Sequence, residues 1–228
     1  MKGMAGRDAA RSVVSGMRLG LGTGSTVAHF LEHLGARLAR GELTGVVGVP
    51  TSVRTEKAAR ELGVALATLE GLGALDLTVD GADEVDPGLD LVKGLGGALL
   101  REKMVAQASD RMLVVVDDSK LVGRLGEIAP LPVEVVPFGH ASHMGWLRDL
   151  GAEPTVRAGG NGHPYLTDNG NLIVDCRFAG GIEDPVGLER QLARRAGVVE
   201  SGLFLNLATE AVVAGKGGVR RMRRGSSP

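Results

Sequence analysis

Cysteine is almost missing from this chain: Cys176 stands alone among 228 residues. One thiol excludes an internal disulfide framework and suits a reducing compartment. Aromatic residues make up only 3% of the sequence, and no apolar run approaches the ~20 residues that a membrane span requires. The first residues, MKGMAGRDAARSVVSGM, mix charge with small side chains and supply no apolar leader core. A cytoplasmic location is therefore expected, with no membrane partner. Charge of one sign is lacking as well. A formal net charge of -1 produces no field that would gather nucleic acid or an anionic surface, so no nucleic-acid partner is expected and any bound anion must be held locally.

What is present is apolar content, 43% of residues against 23% charged, enough to bury a core in one large or two small domains. The first half alternates short β-rich runs with helical stretches. RLGLG precedes STVAHFLEHLGARLARG, VVGVP precedes TSVRTEKAARELG, LTVDG leads towards GGALLREKMVAQAS, and MLVVVDD follows. Continuous Val and Leu runs joined through helices predict an α/β fold with a Rossmann-like parallel sheet covered on both faces, and ligands beyond its carboxyl edge. From about residue 130 the order becomes β-α-β-β-α-β, predicting a second, smaller ferredoxin-like α+β domain. The expected boundaries are 1–127 plus 206–228 for the first domain and 128–205 for the second. An Asn-Gly turn is predicted in TDNGN before the third strand of the second domain. The basic tail GKGGVRRMRRGSSP is expected to be frayed and solvated.

Two segments carry the chemistry. GLGTGSTV (Gly20 to Val27) follows a strand and opens a helix. It fails as a dinucleotide fingerprint because Ser25 stands where a third glycine is required, and no Gly-Lys-Ser/Thr of a Walker loop follows. What remains is a turn rich in N–H groups and hydroxyls at Thr23, Ser25 and Thr26, suited to a phosphate monoester at a helix N-terminus. The second segment, DGADEVDPGLDLVKGLGGALLREK (residues 80–103), holds six acids, two lysines, an arginine and five glycines. Asp80 and Asp83, at the end of a strand, form a carboxylate pair suited to proton transfer. Lys93 precedes a glycine turn, and Glu102 is expected on the side of its helix that also carries Leu99 and Val105. Read alone, Arg101, Glu102 and Lys103 could equally form a solvated charge triplet. His29 and His33 have a ligand-compatible spacing but read as packing or solvent groups without an acidic partner, and no metal is expected.

GLGTGSTV, DGADEVD, KGLGGALLREK, VDDSKLV and ESGLF, in this order and spacing, resemble ribose-5-phosphate isomerase of the A type over nearly the full length. The resemblance implies an aldose-ketose isomerase of the non-oxidative pentose phosphate pathway, interconverting ribose 5-phosphate and ribulose 5-phosphate through a cis-enediolate without a cofactor. It implies a homodimer or homotetramer. It further implies substrate contacts at Thr23, Gly24, Ser25, Thr26, Asp80, Gly81, Ala82, Asp83, Lys93, Gly94, Leu95, Gly96 and Lys120, and more loosely at Lys2. Glu102 matches the family's proton acceptor, with Asp80, Asp83 and Lys93 as its catalytic companions. The family's turn commonly reads Lys-Gly-Gly-Gly-Gly, and here Leu95 interrupts it. Two alternatives use related folds: a noncatalytic sugar-phosphate sensor, or another enzyme such as an amino-sugar phosphate isomerase or a CoA transferase.

Overall fold

Strands rich in Val and Leu bury every side chain on a sheet covered from both faces, and the computed structural model, which describes residues 1–225 apart from the side chain of Asn161, follows that rule. In chain order its elements are α1 (Lys2–Ala10), β1 (Arg18–Leu21), α2 (Ser25–Ala39), β2 (Val47–Pro50), α3 (Val53–Glu61), β3 (Ala65–Leu66), α4 (Leu69–Leu72) and β4 (Leu77–Asp80). Next come β5 (Glu84–Val85), β6 (Leu91–Val92), α5 (Leu99–Gln107), β7 (Met112–Asp117), β8 (Leu131–Val135), α6 (Ala141–Asp149) and β9 (Ala152–Val156). The chain closes with β10 (Leu172–Phe178), α7 (Pro185–Ala193), β11 (Val198–Ser201), β12 (Leu203–Phe204), β13 (Glu210–Gly215) and β14 (Gly218–Arg223).

Two compact units emerge. The first comprises 1–82, 101–120 and 206–228, and the second 83–100 and 121–205. In the first, β14-β13-β7-β4-β1-β2-β3 form one sheet, parallel except for β14. Read from β3, the parallel strands have the doubly wound order of a Rossmann-type sheet. Every residue of β7 is buried, as the MLVVVD run predicts. Helices α1 and α2 lie in close contact: a Cβ on Gly6 would sit 2.6 Å from the Phe30 nitrogen and 2.8 Å from the His29 carbonyl carbon. At the other end of α1, the Arg37 guanidinium donates to the Ala10 and Val13 carbonyls.

In the second unit β8-α6-β9-β10-α7-β11 gives an antiparallel sheet in the order β11-β8-β10-β9, the ferredoxin-like arrangement. The TDNGN turn forms as expected, with Gly170 at φ 78. The Thr167 hydroxyl and the Asn169 and Asn171 side-chain amides donate to Oε1 of the buried Glu134. A feature absent from the sequence reading is the small sheet β12-β6-β5. It explains why residues 83–100 and 121–127 pack with the second unit and not within the expected boundary at 127. Pairing of β6 with β12 draws the first segment over, and the buried Glu84 carboxylate accepts from the Gly126, Ile128 and Ala129 amides at 2.5, 2.6 and 2.6 Å.

The expectation of a frayed tail is corrected for its described part. Gly218–Arg223 is the edge strand β14, with Arg221 bound to Asp8 at 2.6 Å and Glu210 at 2.9 Å. Ser226, Ser227 and Pro228 lie outside the described residues. Cys176 is buried within the second unit, where loss of hydration pushes its thiol up to about 12, an unreactive structural group.

Two outcomes test this packing. Gly6→Ala forces a methyl against helix backbone and should destabilise the protein by about 1–3 kcal/mol, seen as a lower Tm despite alanine's better helix propensity. An unchanged or raised Tm would refute the close approach. His143 is buried, and burial, then Arg195 and His140, depress its imidazole below 6.5. The unfolded chain therefore takes up a proton that the folded protein resists, so this contribution to stability is present above pH 6.5 and is lost as pH falls. His143→Gln should flatten the decline in Tm between pH 7 and 5, measured beside the unsubstituted protein.

Candidate active site

Strand order reverses between β1 and β4, and ligands of open α/β sheets bind beyond the carboxyl ends at such a reversal. The two strand ends are joined through Asp80. Its side chain is completely buried, and its Oδ1 accepts from the Thr23 amide at 3.0 Å and the Gly81 amide at 2.7 Å. A Cβ on Gly22 would lie 2.2 Å from that same oxygen, so only glycine lets the β1 end approach. The turn then passes through Gly24 at φ 146, and α2 begins at Ser25 with no side-chain cap on its first turn. Uncapped N–H groups point out of the helix as donors for an anion. Lys2, at the start of α1, donates to the Ser25 hydroxyl at 2.8 Å. A cation, a hydroxyl and a helix N-terminus are thus brought together.

Thr23 behaves differently from Ser25. Its hydroxyl is buried among those of Thr51, Ser52 and Thr55, at 2.9, 2.8 and 3.0 Å. Thr55 in turn donates to the Gly22 carbonyl at 2.9 Å and Thr51 to the Leu21 carbonyl at 3.1 Å. Thr23 therefore anchors the loop by its side chain and presents its neighbours. This hydroxyl cluster was missed from sequence, although the Thr51–Ser52 pair following β2 was the available signal. Thr26 is also buried, in the first turn of α2.

Helix α5 returns across the sheet, where the Val105 side chain meets the space above Gly20, the site of its hypothetical Cβ contact at 2.5 Å. One turn earlier, toward the carboxyl edge, comes Glu102, only 3% exposed, followed by Lys103 at 4%. The solvated-triplet reading fails for both residues. A buried carboxylate is costly unless it is paired or used. Lys120 occupies the short helical turn that follows β7 at the same edge, partly buried, just beyond Asp117, which accepts from the Ser119 amide at 3.1 Å.

Within the second unit, Asp83 and the Lys93–Gly97 turn form a separate bonded group. The Asp83 Oδ2 accepts from the Leu95 amide at 2.9 Å, and the Gly97 amide closes the turn on the Gly94 carbonyl at 2.9 Å. Lys93 is 2% exposed, its backbone amide bonded to the Gly202 carbonyl at 2.9 Å and its ammonium 5.3 Å from the centre of the Phe204 ring. Positive φ falls at Gly94 and Gly97, where glycine is required. Leu95 has no positive φ and its side chain is exposed, so its departure from an all-glycine turn introduces no strain. Also missed from sequence was Arg157, which donates to the Gly94 and Leu95 carbonyls at 2.9 and 3.1 Å. Ala82 and Gly96 are accessible to solvent.

His29 does have an acidic neighbour that the sequence reading overlooked: its Nδ1 lies 2.9 Å from Glu32 Oε2 on the exposed side of α2. His33 is depressed by burial and by Arg7.

Comparison with known proteins supports a single assignment. The family model for ribose 5-phosphate isomerase A (phosphoriboisomerase A) matches residues 47–218. The chain is 51% identical to ribose-5-phosphate isomerase A of Chloroflexus aurantiacus, covering 97% of this chain and 92% of the relative. Among solved structures, it matches D-ribose-5-phosphate isomerase in complex with phospho-erythronic acid at 40% identity and a TM-score of 0.95, covering 98% and 97% of the two chains. It matches ribose 5-phosphate isomerase from Plasmodium falciparum at 38% identity and the same TM-score of 0.95, covering 99% and 98%. With agreement over nearly its whole length, this chain belongs to the ribose 5-phosphate isomerase A family.

Proposed function

We propose that the protein interconverts D-ribose 5-phosphate and D-ribulose 5-phosphate, with Glu102 as the carbon base. The observation that carries the residue assignment is the burial of Glu102 in the first turn of α5, at the sheet edge that also carries the Lys2–Ser25 pair and Asp80. Lys2, Ser25, Thr26 and the first N–H groups of α2 would hold the substrate's phosphate, joined by Lys120. Asp80, Gly81 and Ala82 would meet the sugar, as would Asp83 and the Lys93–Gly96 turn.

The chemistry follows from the residue types. Asp80 relays a proton from the anomeric hydroxyl to the ring oxygen, which opens the furanose to the aldehyde. Glu102 removes the C2 proton, and the electron pair left behind forms the C1–C2 double bond of a cis-enediolate as negative charge moves to O1. Lys93 stabilises that oxyanion and Asp83 orients the neighbouring hydroxyls. Glu102 then returns the proton to C1 while the O2 proton passes to O1, leaving a hydroxyl on C1 and the ketone at C2. Proton transfer of this kind calls for neither a metal nor a redox cofactor. Among the described residues, no helix is long and apolar enough to cross a membrane.

Two experiments test the assignment. Glu102→Gln keeps the shape but removes the base and should lower kcat by about 10²- to 10⁴-fold, with parallel loss of solvent deuterium incorporation at C1 of the ketose. Binding of an unreactive five-carbon sugar phosphate should be unchanged. Exchange at the unsubstituted rate would transfer the base role to Asp80 or Asp83. Lys2→Ala and Ser25→Ala should each weaken that phosphorylated ligand by about 10- to 100-fold in calorimetry, since charge-assisted hydrogen bonds are lost. An unphosphorylated analogue should lose far less, and equal losses for the two ligands would remove phosphate from this loop.

A further inference from the structure

We propose that Arg157 is a positioning residue for the isomerase reaction, setting the direction of two peptide planes in the Lys93–Gly97 turn and, through them, the Asp83 carboxylate and the Gly96 amide. This rests on the reading of the turn as a substrate-contacting element.

Arg157 directly follows β9, its amide bonded to the Ile173 carbonyl and its carbonyl to the Tyr165 amide, both at 2.8 Å. Its guanidinium is held from two further directions. Asp175 on β10 accepts from Nε at 2.9 Å and from Nη2 at 2.5 Å, a fork that lysine cannot reproduce, and the Tyr165 ring centre lies 5.8 Å away. The side chains of the pair are only 13% and 23% exposed. Their orientation leaves Nη1 aimed at the Gly94 and Leu95 carbonyls.

The consequence follows from peptide planarity. Among the described residues no peptide bond is cis, so a carbonyl directed at the guanidinium sends the N–H of the same plane the opposite way. For the Gly94–Leu95 plane, that N–H is the one that meets Asp83 Oδ2 at 2.9 Å. For the Leu95–Gly96 plane, the N–H of exposed Gly96 is turned away from the cation and becomes a donor for a substrate oxygen. Glycines at 94, 96 and 97 make rotation of these planes inexpensive. Within the turn the Gly97 amide holds the Gly94 carbonyl, and Arg157 adds a charged donor both there and at the Leu95 carbonyl: a flipped plane would set an N–H donor against the guanidinium, and a flip at Gly94–Leu95 would also withdraw the amide from Asp83. A merely structural role in joining β9 to β10 is already filled by their antiparallel pairing, which includes Asp175 opposite Thr155.

Steady-state kinetics on Arg157→Gln, Asp83→Asn, Lys93→Ala and the Arg157→Gln/Asp83→Asn double variant test the idea. Assayed well below the melting range of each variant, Arg157→Gln should lower kcat by about 10- to 100-fold whatever Tm is lost with the Asp175 pair, and Asp83→Asn should also slow turnover. In the double variant the two losses should not multiply: adding Arg157→Gln to Asp83→Asn should cost less than about threefold. Multiplying losses would overturn action through Asp83. If Asp83→Asn is slow while Arg157→Gln turns over normally, the positioning role falls and the turn keeps its place in catalysis. If Asp83→Asn and Lys93→Ala are both as fast as the unsubstituted enzyme, the reading of the turn fails and the role of Arg157 falls with it. Should Arg157→Gln not fold, Arg157→Lys, which keeps the charge and loses the fork, carries the same expectations.

Discussion

A carboxylate with no solvent exposure, Asp80, is the constraint around which the sheet edge is built. Removing a carboxylate from water costs several kcal/mol unless donors replace the lost hydration. The Thr23 and Gly81 amides supply two of them, and both lie in the loops that extend from β1 and β4. Satisfying the charge and joining the two loops are therefore one event. It also dictates glycine at 22 and recruits Thr23 as a peg in the Thr51–Ser52–Thr55 cluster. Ser25, Lys2 and the start of α2 are presented from a loop whose base is already held.

The same principle accounts for the crowding of acids between residues 80 and 103. Asp80, Asp83, Glu84 and Asp86 each accept backbone N–H groups: Asp83 that of Leu95, Glu84 those of Gly126, Ile128 and Ala129, and Asp86 that of Asp90. In a glycine-rich stretch with only two-residue strands, few backbone amides find ladder partners, and carboxylates are the strongest acceptors available to them. Much of the charge in this segment is thus architectural, and the chemistry assigned to Asp80 and Asp83 is performed by groups whose orientation the backbone sets. Glu102 differs, since it lies in a helical turn and is buried through packing of α5 over the sheet.

Local pattern made several features readable. Hydrophobic runs of period two and helical spacing marked the parallel sheet and the β-α-β-β-α-β order, because those periodicities are properties of single elements. Asn-Gly marked its turn, and the spacing of Thr23, Ser25, Asp80, Lys93 and Glu102 survives as motif because these residues lie within short segments. The frayed-tail expectation failed for a non-local reason: GVRRMR looks solvated until the acidic partners Asp8, far away in the chain, and Glu210 are known.

The sequence by itself determined the fold class and the chemical groups available at the sheet edge, since both depend on residue type and near-neighbour spacing. Only the tertiary structure decided that Thr23 turns its hydroxyl inward, that Leu95 sits without a positive φ, that residues 83–100 pack with the second unit, and that Arg157 grips a turn 63 positions away from it at Gly94. Each of these depends on which donors and acceptors meet after the chain has folded back on itself, and hydrogen bonds between residues distant in sequence leave no periodic trace along it.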